Sequence, residues 1–270
     1  METFVGIDLG STTGKIVVLR DGGNGLDRSY EAVVPVSYNP GQTVDLVLNA
    51  AEKDGGLDRA AVAGVCVTGY GRNNVTSIAD QMSEISCHAY GAHWLDNEVR
   101  TLVDIGGQDV KAISVSSSGT VSNFVMNDKC AAGTGRFLEV MARTLHCGIE
   151  EMEALAKEAP APLAISSQCS VFAESEVITY LNQGQSRENV AAGVYDSIGR
   201  RVLSMIQRVG CKPKMMMSGG CAKSSYLGDL IARLAGCPVV RIPADPQIIG
   251  ALGAALYAAE HRVGFGGQER

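Results

Sequence analysis

The stretch that decides the fold is FVGIDLGSTTGKIVVL, residues 4–19. Apolar residues alternate as far as Leu9 and resume at Ile16, and small and hydroxylated residues separate the two runs. This pattern predicts a β-hairpin, called the first hairpin below. A carboxylate beside a turn of backbone N–H groups and hydroxyls suits phosphates and a hydrated Mg²⁺. The candidate contacts here are Asp8, Gly10, Ser11, Thr12, Thr13, Gly14 and Lys15.

The pattern recurs in the second hairpin, residues 102–115, which reads LVDIGGQDVKAISV. One such turn fits an ordinary structural hairpin equally well, but its repetition favours phosphate binding by two similar halves. Two hairpins can hold one phosphate chain from both sides, with Asp8 and Asp104 flanking the metal. Gln108 is a candidate for orienting the attacking water. The backbone contacts expected in this hairpin are Gly106 and Gly107.

Three further segments carry candidate nucleotide contacts. Ser218, Gly219 and Gly220 follow a short apolar run, and glycines let a backbone approach a purine or ribose closely because no Cβ intervenes. Gly133, Thr134 and Gly135, at the start of a predicted helix, form the second segment. Gln247, which precedes the predicted closing helix, is the candidate in the third segment.

The rest of the chain alternates predicted strands and helices, which indicates an α/β protein. Strands are predicted at residues 61–67 and 215–217. Helices are predicted at residues 44–51, 74–82, 134–145, 175–183, 187–209, 226–235 and 250–261. The predicted division is a first half, residues 1–95 completed by a C-terminal helix at 248–262, and a second half, residues 96–247. The tail from Gly264 is predicted to be disordered.

Composition excludes several classes of function. Of 270 residues, 46% are hydrophobic, enough for a substantial core. A formal net charge of -6 without any basic run argues against nucleic acid as the partner. The N-terminus shows no signal peptide or membrane anchor, so we expect a cytoplasmic protein with no membrane partner. The 8 cysteines are then expected to be reduced thiols and ligands rather than disulfides.

Two cysteines lie in segments that favour a thiolate. Cys130 lies in NDKCAAGTG, residues 127–135, and Cys169 in SSQCS, residues 166–170. Each precedes a predicted helix, with a helix near Glu174 expected after Cys169, so both face the positive end of a helix dipole. Two cysteines cannot complete a four-thiolate iron–sulfur site, but a twofold dimer with one cluster on its axis can. The alternative is that both are small buried hydrophobes.

The two hairpins, the Ser-Gly-Gly segment and the closing helix at residues 250–257 resemble the acetate and sugar kinase, chaperone and actin superfamily. That resemblance implies duplicated ribonuclease-H-like halves. The two cysteine segments resemble those of the ATP-dependent activators of 2-hydroxyacyl-CoA dehydratases, relatives of the ATPase subunits of benzoyl-CoA reductase. The likeness runs from Gly6 to Tyr257 and includes TGYGRN, residues 68–73, and MSEISCHA, residues 82–89.

This resemblance implies a homodimer that holds one 4Fe-4S cluster through Cys130 and Cys169 of each subunit. It also implies ATP hydrolysis with Mg²⁺, leaving ADP, and transfer of one electron from ferredoxin or flavodoxin to a dehydratase component. We expect Asp8 and Asp104 to be catalytic together with the glutamine of the second hairpin. The helix that starts near Gly133 is expected to link the phosphate site to the cluster. Cys87 and His88 are expected to have a structural or partner-facing role.

Two other functions use the same hairpins without a cluster. A small-molecule kinase requires a carboxylate base near an acceptor hydroxyl, and the sequence offers no acceptor pocket. A nucleotide-gated scaffold would hydrolyse ATP slowly and hold no iron. Neither has a chemical reason to carry both cysteine segments.

Overall fold

The computed structural model describes residues 2–75, 78, 80–166 and 169–265. The chain divides into two compact units. The first unit comprises Met1–Val99, Val115–Ser122 and Ile242–Arg270, and the second comprises Arg100–Ser114 and Asn123–Arg241. Both units therefore differ from the predicted halves by a few residues at each boundary, and the segment Val115–Ser122 joins the first unit.

Strands and helices alternate along most of the described chain. The described strands are β1 Glu2–Leu9, β2 Thr13–Asp21, β3 Leu26–Pro35, β4 Val62–Thr68, β5 Thr101–Ile105, β6 Val110–Val115, β7 Val121–Asn127, β8 Met215–Ser218 and β9 Val239–Val240. The described α-helices are α1 Pro40–Gly55, α2 Glu84–Leu95, α3 Gly135–Thr144, α4 Ile149–Glu158, α5 Ser170–Asn182, α6 Arg187–Val209, α7 Ser225–Ala235 and α8 Ile249–His261. In the described part of the chain, no helix is long and apolar enough to cross a membrane.

Each unit is built on one sheet with the same central arrangement. The first sheet has the order β3-β2-β1-β4 and the second the order β7-β6-β5-β8-β9. In both, a central strand pairs antiparallel with the strand that follows it along the chain and parallel with a strand from later in the chain. The two hairpins expected from the sequence are therefore β1–β2 and β5–β6.

The core of the first unit depends on close approach by α8. This helix is made mostly of alanine and glycine, and nearly all of it is buried. A Cβ on Gly6 of β1 would fall on the carbonyl oxygen of Ala251, and one on Gly64 of β4 would fall on that of Ala258. A Cβ on Gly253 would fall on the carbonyl oxygen of Cys87 in α2. Glycine at these positions lets α8 pack directly against the backbones of two strands and a helix.

The core of the second unit surrounds α6, whose Tyr195, Val202 and Ile206 are completely buried. Local signals set the ends of the helices. Ser186 caps α6 by accepting a hydrogen bond from the backbone N–H of Asn189, and Ser224 caps α7 in the same way. Burial of the apolar side chains of α6, including Tyr195, Val202 and Ile206, is the main force that holds this helix against the sheet.

Some sequence-based assignments are wrong. The helix expected at residues 74–82 is not formed by the described residues there. Asp80 and Met82 exchange backbone hydrogen bonds with Val67, which holds this segment extended beside β4. Arg72–Asn74 form a short 3₁₀ helix. Thr76, Ser77 and Ala79 lie outside the described residues, as does the tail from Gly266. The described strands β3, β7 and β9 and helices α2 and α4 were not predicted from the sequence.

We expect Gly253→Ala to lower the free energy of unfolding by about 3 kcal/mol, because the new Cβ must displace the Cys87 carbonyl. Gly228→Ala is the matched control, since it also lies within a helix but its Cβ would meet only the Met217 sulfur at 4.0 Å. Alanine should stabilise that helix by about 0.5–1 kcal/mol. Urea unfolding followed by circular dichroism measures both values. Equal stabilities of the two variants would contradict the packing described for α8.

Candidate functional site

In the first hairpin, Asp8 is placed opposite Lys15 by the register of β1 and β2. The Lys15 Nζ lies 3.1 Å from the Asp8 Oδ2, and both side chains are largely buried. The turn is closed by the Gly10 N–H, which donates to the Thr13 carbonyl at 3.1 Å. The carboxylate therefore sits at the end of a buried strand, directly beside a turn of small residues.

Two other predicted contacts lie near this turn. The Gln247 Nε2 is 3.5 Å from the Thr13 Oγ1, so Gln247 reaches the first hairpin from the segment before α8. Gly14 lies in β2, and a Cβ there would collide with the methyl group of Thr43 in α1. Packing therefore accounts for the glycine at position 14. Its role as a nucleotide contact stays a prediction.

The second hairpin repeats this geometry. Asp104 lies opposite Lys111, whose Nζ is 3.0 Å from the Asp104 Oδ2 and 2.8 Å from the Asp109 Oδ2. Ser218 at the end of β8 donates from its Oγ to the Asp104 Oδ1 at 2.8 Å. The Gly106 N–H donates to the Asp109 carbonyl at 3.0 Å and closes the turn. Asp104 is thus held from two sides.

The tip of the second hairpin carries Gln108, which is exposed. Asp109 and Lys111 form part of this site but were not proposed from the sequence. A signal for the lysines was present, because Asp8 and Lys15 have the same spacing along the chain as Asp104 and Lys111. In a hairpin this spacing places the two residues opposite each other on neighbouring strands.

The start of α3 connects the second hairpin to the loop that carries Cys130. The Gly135 and Arg136 N–H groups donate to the Gly106 and Gly107 carbonyls, both at 2.9 Å. Thr134 donates to the Ala131 carbonyl from its N–H at 3.0 Å and from its Oγ1 at 2.7 Å.

The side chain of Asn127 completes this connection. Its Nδ2 donates to the Cys130 carbonyl at 2.9 Å. Hydrogen bonds, joined by short stretches of backbone, therefore connect the turn to the loop of the cysteine. The N–H groups of Thr134 and Gly135 donate within the protein, so these residues serve here as links. Their contact with a nucleotide stays a prediction, as does that of Gly133, whose φ is +90°.

Neither expected cluster ligand is fully buried. Cys169 is exposed and Cys130 is partly exposed. The helix after Cys169 begins at Ser170 rather than near Glu174, so the expected start was wrong and Cys169 itself is the N-cap residue of α5. Its carbonyl accepts from the Ala173 N–H at 2.9 Å. Ser167 and Gln168 of the same segment lie outside the described residues.

The described residues of a single chain contain no group of three or more His, Cys, Asp or Glu that could hold a metal ion. Because Cys169 is exposed, it is not the small buried hydrophobe that the alternative interpretation requires. The partly exposed thiol of Cys130 and the exposed thiol of Cys169, the N-cap residue of α5, fit half of a four-thiolate ligand set.

Burial distinguishes three of the other cysteines, Cys66, Cys87 and Cys221, from Cys169. Burial raises the pKa of the Cys87 thiol to about 12, and likewise that of Cys221 to about 12. Burial also raises the pKa of Cys66 well above its usual value. His88 is buried beside Cys87 in α2, and its Nδ1 donates to the Glu84 carbonyl at 2.8 Å. Both residues pack against α8, and this packing accounts for their burial.

A model of the BadF/BadG/BcrA/BcrD ATPase family matches residues 5–258. The chain belongs to this family. The resemblance inferred from the hairpins and the cysteine segments is confirmed at this level.

Similar proteins include two dehydratase activators. The activator of lactoyl-CoA dehydratase of Anaerotignum propionicum is 43% identical over 256 residues, which cover 95% of this chain and 97% of the relative. The (R)-2-hydroxyglutaryl-CoA dehydratase activating ATPase of Acidaminococcus fermentans is 43% identical over 255 residues, which cover 94% of this chain and 96% of the relative.

A solved structure has the same fold. The activator of the 2-hydroxyisocaproyl-CoA dehydratase from Clostridium difficile with bound ADPNP superimposes with a TM-score of 0.85 and 39% identity. The match covers 96% of this chain and 94% of that one. The α/β fold expected from the sequence, that of the acetate and sugar kinase, chaperone and actin superfamily with duplicated ribonuclease-H-like halves, is confirmed.

We expect iodoacetamide at pH 8 to label Cys169 in the folded, iron-free protein while Cys66 and Cys87 stay unlabelled. The raised pKa values of the two buried thiols leave almost none of the reactive thiolate at this pH, and burial excludes the reagent. Peptide mass spectrometry identifies the labelled residues. Unfolding in urea is the control and should make Cys66 and Cys87 reactive. Labelling of Cys87 at the rate of Cys169 in the folded protein would contradict this description.

Proposed function

We propose that this protein is an ATP-hydrolysing activator that transfers one low-potential electron to a 2-hydroxyacyl-CoA dehydratase or a related CoA-ester reductase. The observation that carries the proposal is the series of hydrogen bonds from the second phosphate turn through α3 to Cys130. Relatives of the same length that are named as dehydratase activators support it.

The proposed roles at the hairpins follow from their chemistry. Asp8 and Asp104 orient the hydration shell of Mg²⁺, and the N–H groups of both turns bind phosphate oxygens. Lys15 and Lys111 hold the two carboxylates in place through their ion pairs. Gln108 orients the attacking water from the tip of the second hairpin. The ADPNP bound to the solved C. difficile activator supports nucleotide binding by this chain.

We further propose that Cys130 and Cys169 hold one 4Fe-4S cluster together with the same residues of a second copy. Cys130 is partly exposed and Cys169 is exposed, so each chain can offer these two thiols, and four thiolates are needed. Twofold symmetry supplies the missing pair, so the cluster requires the homodimer. The cluster supplies one-electron transfer at low potential. Ferredoxin or flavodoxin is the proposed electron donor, and the dehydratase component is the proposed acceptor.

Coupling between the two chemistries is proposed to run through α3. A change in the phosphates bound at the second hairpin moves the carbonyls of Gly106 and Gly107. The first N–H groups of α3 bond to those carbonyls, so the helix start and the loop of Cys130 move with them. The protein thereby changes the hydrogen bonding and exposure around the cysteine thiolates, which sets the potential of a bound cluster.

We expect reciprocal losses when the two sites are changed separately. Asp8→Asn and Asp104→Asn should lower the ATP hydrolysis rate at least ~100-fold and leave about four irons per dimer, because neither residue is a cluster ligand. Cys130→Ala and Cys169→Ala should lose the iron and remain folded. Anaerobic reconstitution, iron analysis and a phosphate-release assay measure these properties on the same samples.

Several outcomes would contradict the proposal. Full iron content in both cysteine variants would exclude these residues as ligands. ATP-dependent phosphorylation of a small acid or sugar would favour a kinase, and slow hydrolysis by an iron-free protein would favour a scaffold. Transfer of one electron per turnover to a purified dehydratase component would support the activator role.

A further inference from the structure

Each of the two site aspartates lies beside a glycine with a positive φ. Gly69 directly follows β4 and has φ +91°, and Gly219 directly follows β8 and has φ +84°. The strand registers make the positions equivalent, because Asp8 lies opposite Thr68 and Asp104 lies opposite Ser218. The duplication of the hairpins therefore extends to the strand that is parallel to each central strand.

Both glycines contact the aspartate and the residue after it. A Cβ on Gly69 would lie 2.6 Å from the Leu9 carbonyl oxygen and would fall on the Asp8 Oδ1. A Cβ on Gly219 would lie 3.0 Å from the Asp104 Oδ1 and would fall on the Ile105 carbonyl oxygen. In each unit, one carboxylate oxygen thus faces bare glycine backbone.

The other carboxylate oxygen faces a lysine in both units. Lys15 lies 3.1 Å from the Asp8 Oδ2, and Lys111 lies 3.0 Å from the Asp104 Oδ2. Each carboxylate is therefore confined between a cross-strand ammonium group and a backbone that has no Cβ. A side chain at either glycine would rotate or displace the carboxylate.

The loop of Gly69 is fixed by four hydrogen bonds. Arg72 donates to the Gly69 carbonyl from its Nη1 at 3.0 Å and from its backbone N–H at 3.3 Å. The Gly71 N–H donates to the Leu9 carbonyl at 3.0 Å. Thr68 donates from its Oγ1 to the Met82 carbonyl at 2.9 Å. These bonds hold Gly69 against Asp8 and leave Tyr70 exposed between them.

We propose that Gly69, held by Arg72, is a positioning residue for Asp8, and that residues 68–72 are the counterpart in the first unit of the Ser218-Gly219-Gly220 segment. This inference rests on the proposed function of Asp8. It gives a task to the TGYGR segment, for which the sequence supplied none. Displacement of a metal-orienting carboxylate by about 1 Å is enough to slow a reaction ~100-fold.

The test compares Gly69→Ala with Gly23→Ala. Both glycines have φ +91°, so alanine brings the same backbone strain, but a Cβ on Gly23 meets nothing within 4 Å. We expect Gly69→Ala to lower the kcat of ATP hydrolysis about tenfold or more and to raise the Mg²⁺ concentration for half-maximal activity. Gly23→Ala should stay within about twofold of wild type in both quantities, since it touches no site residue.

Arg72 provides a second test that introduces no collision. Arg72→Ala should shift the Mg²⁺ dependence in the same direction as Gly69→Ala, and Arg72→Lys should restore part of it, because lysine can still donate to the Gly69 carbonyl. A general loss of stability would lower the amount of active protein without changing its Mg²⁺ dependence. If Gly69→Ala does not fold, the two Arg72 variants decide the question.

The outcomes separate this inference from the proposed function. Absence of ATP hydrolysis by wild type, or full activity of Asp8→Asn, would overturn the proposed function. An inactive Asp8→Asn together with wild-type kcat and Mg²⁺ dependence in Gly69→Ala and Arg72→Ala would overturn only the positioning role.

Discussion

A buried aspartate that is paired with a lysine on the neighbouring strand is the interaction on which both units depend. In the first unit, loss of either charge would leave its partner largely buried without the ion pair, which typically costs about 3–5 kcal/mol. Asp8 with Lys15, and Asp104 with Lys111, therefore fix the register of each hairpin. The same pairing places a carboxylate at the edge of a glycine-rich turn. The aspartate that forms the buried ion pair is therefore also the residue proposed to orient the hydrated metal ion.

Glycine makes this arrangement compatible with dense packing. In the first unit, α8 approaches β1 so closely that a Cβ on Gly250 would lie 3.1 Å from the Asp8 Oδ2. In the second unit, α3 bonds directly to the turn after β5 through Gly106. Dense packing of this kind transmits small displacements, because close-packed elements move as rigid bodies. The turns of both hairpins are thus connected to the rest of each unit by contacts that leave little room for adjustment.

The sequence predicted what depends on local pattern. The hairpins and the long helix α6 carry strong periodicity, residues 215–217 form a short apolar run, and the structure has all of these elements. The segment at residues 74–82 was misassigned because its pairing with Val67 is set by tertiary contacts. The contacts of Gly69 and Gly219 with the aspartates also escaped prediction, since no local pattern indicates which side chain a glycine faces. The repeated aspartate–lysine spacing is visible in the sequence, but only the hairpin register shows that it places the two residues opposite each other.

The central claim is that nucleotide bound at the second hairpin changes the surroundings of Cys130 through α3. The most direct measurement is the rate at which a ferrous chelator removes iron from the reduced, reconstituted homodimer, with ADP and with ATP. The account predicts rates that differ about fivefold or more between the two nucleotides in wild type, and equal rates in Asp104→Asn. Equal rates with ADP and ATP in wild type would contradict it.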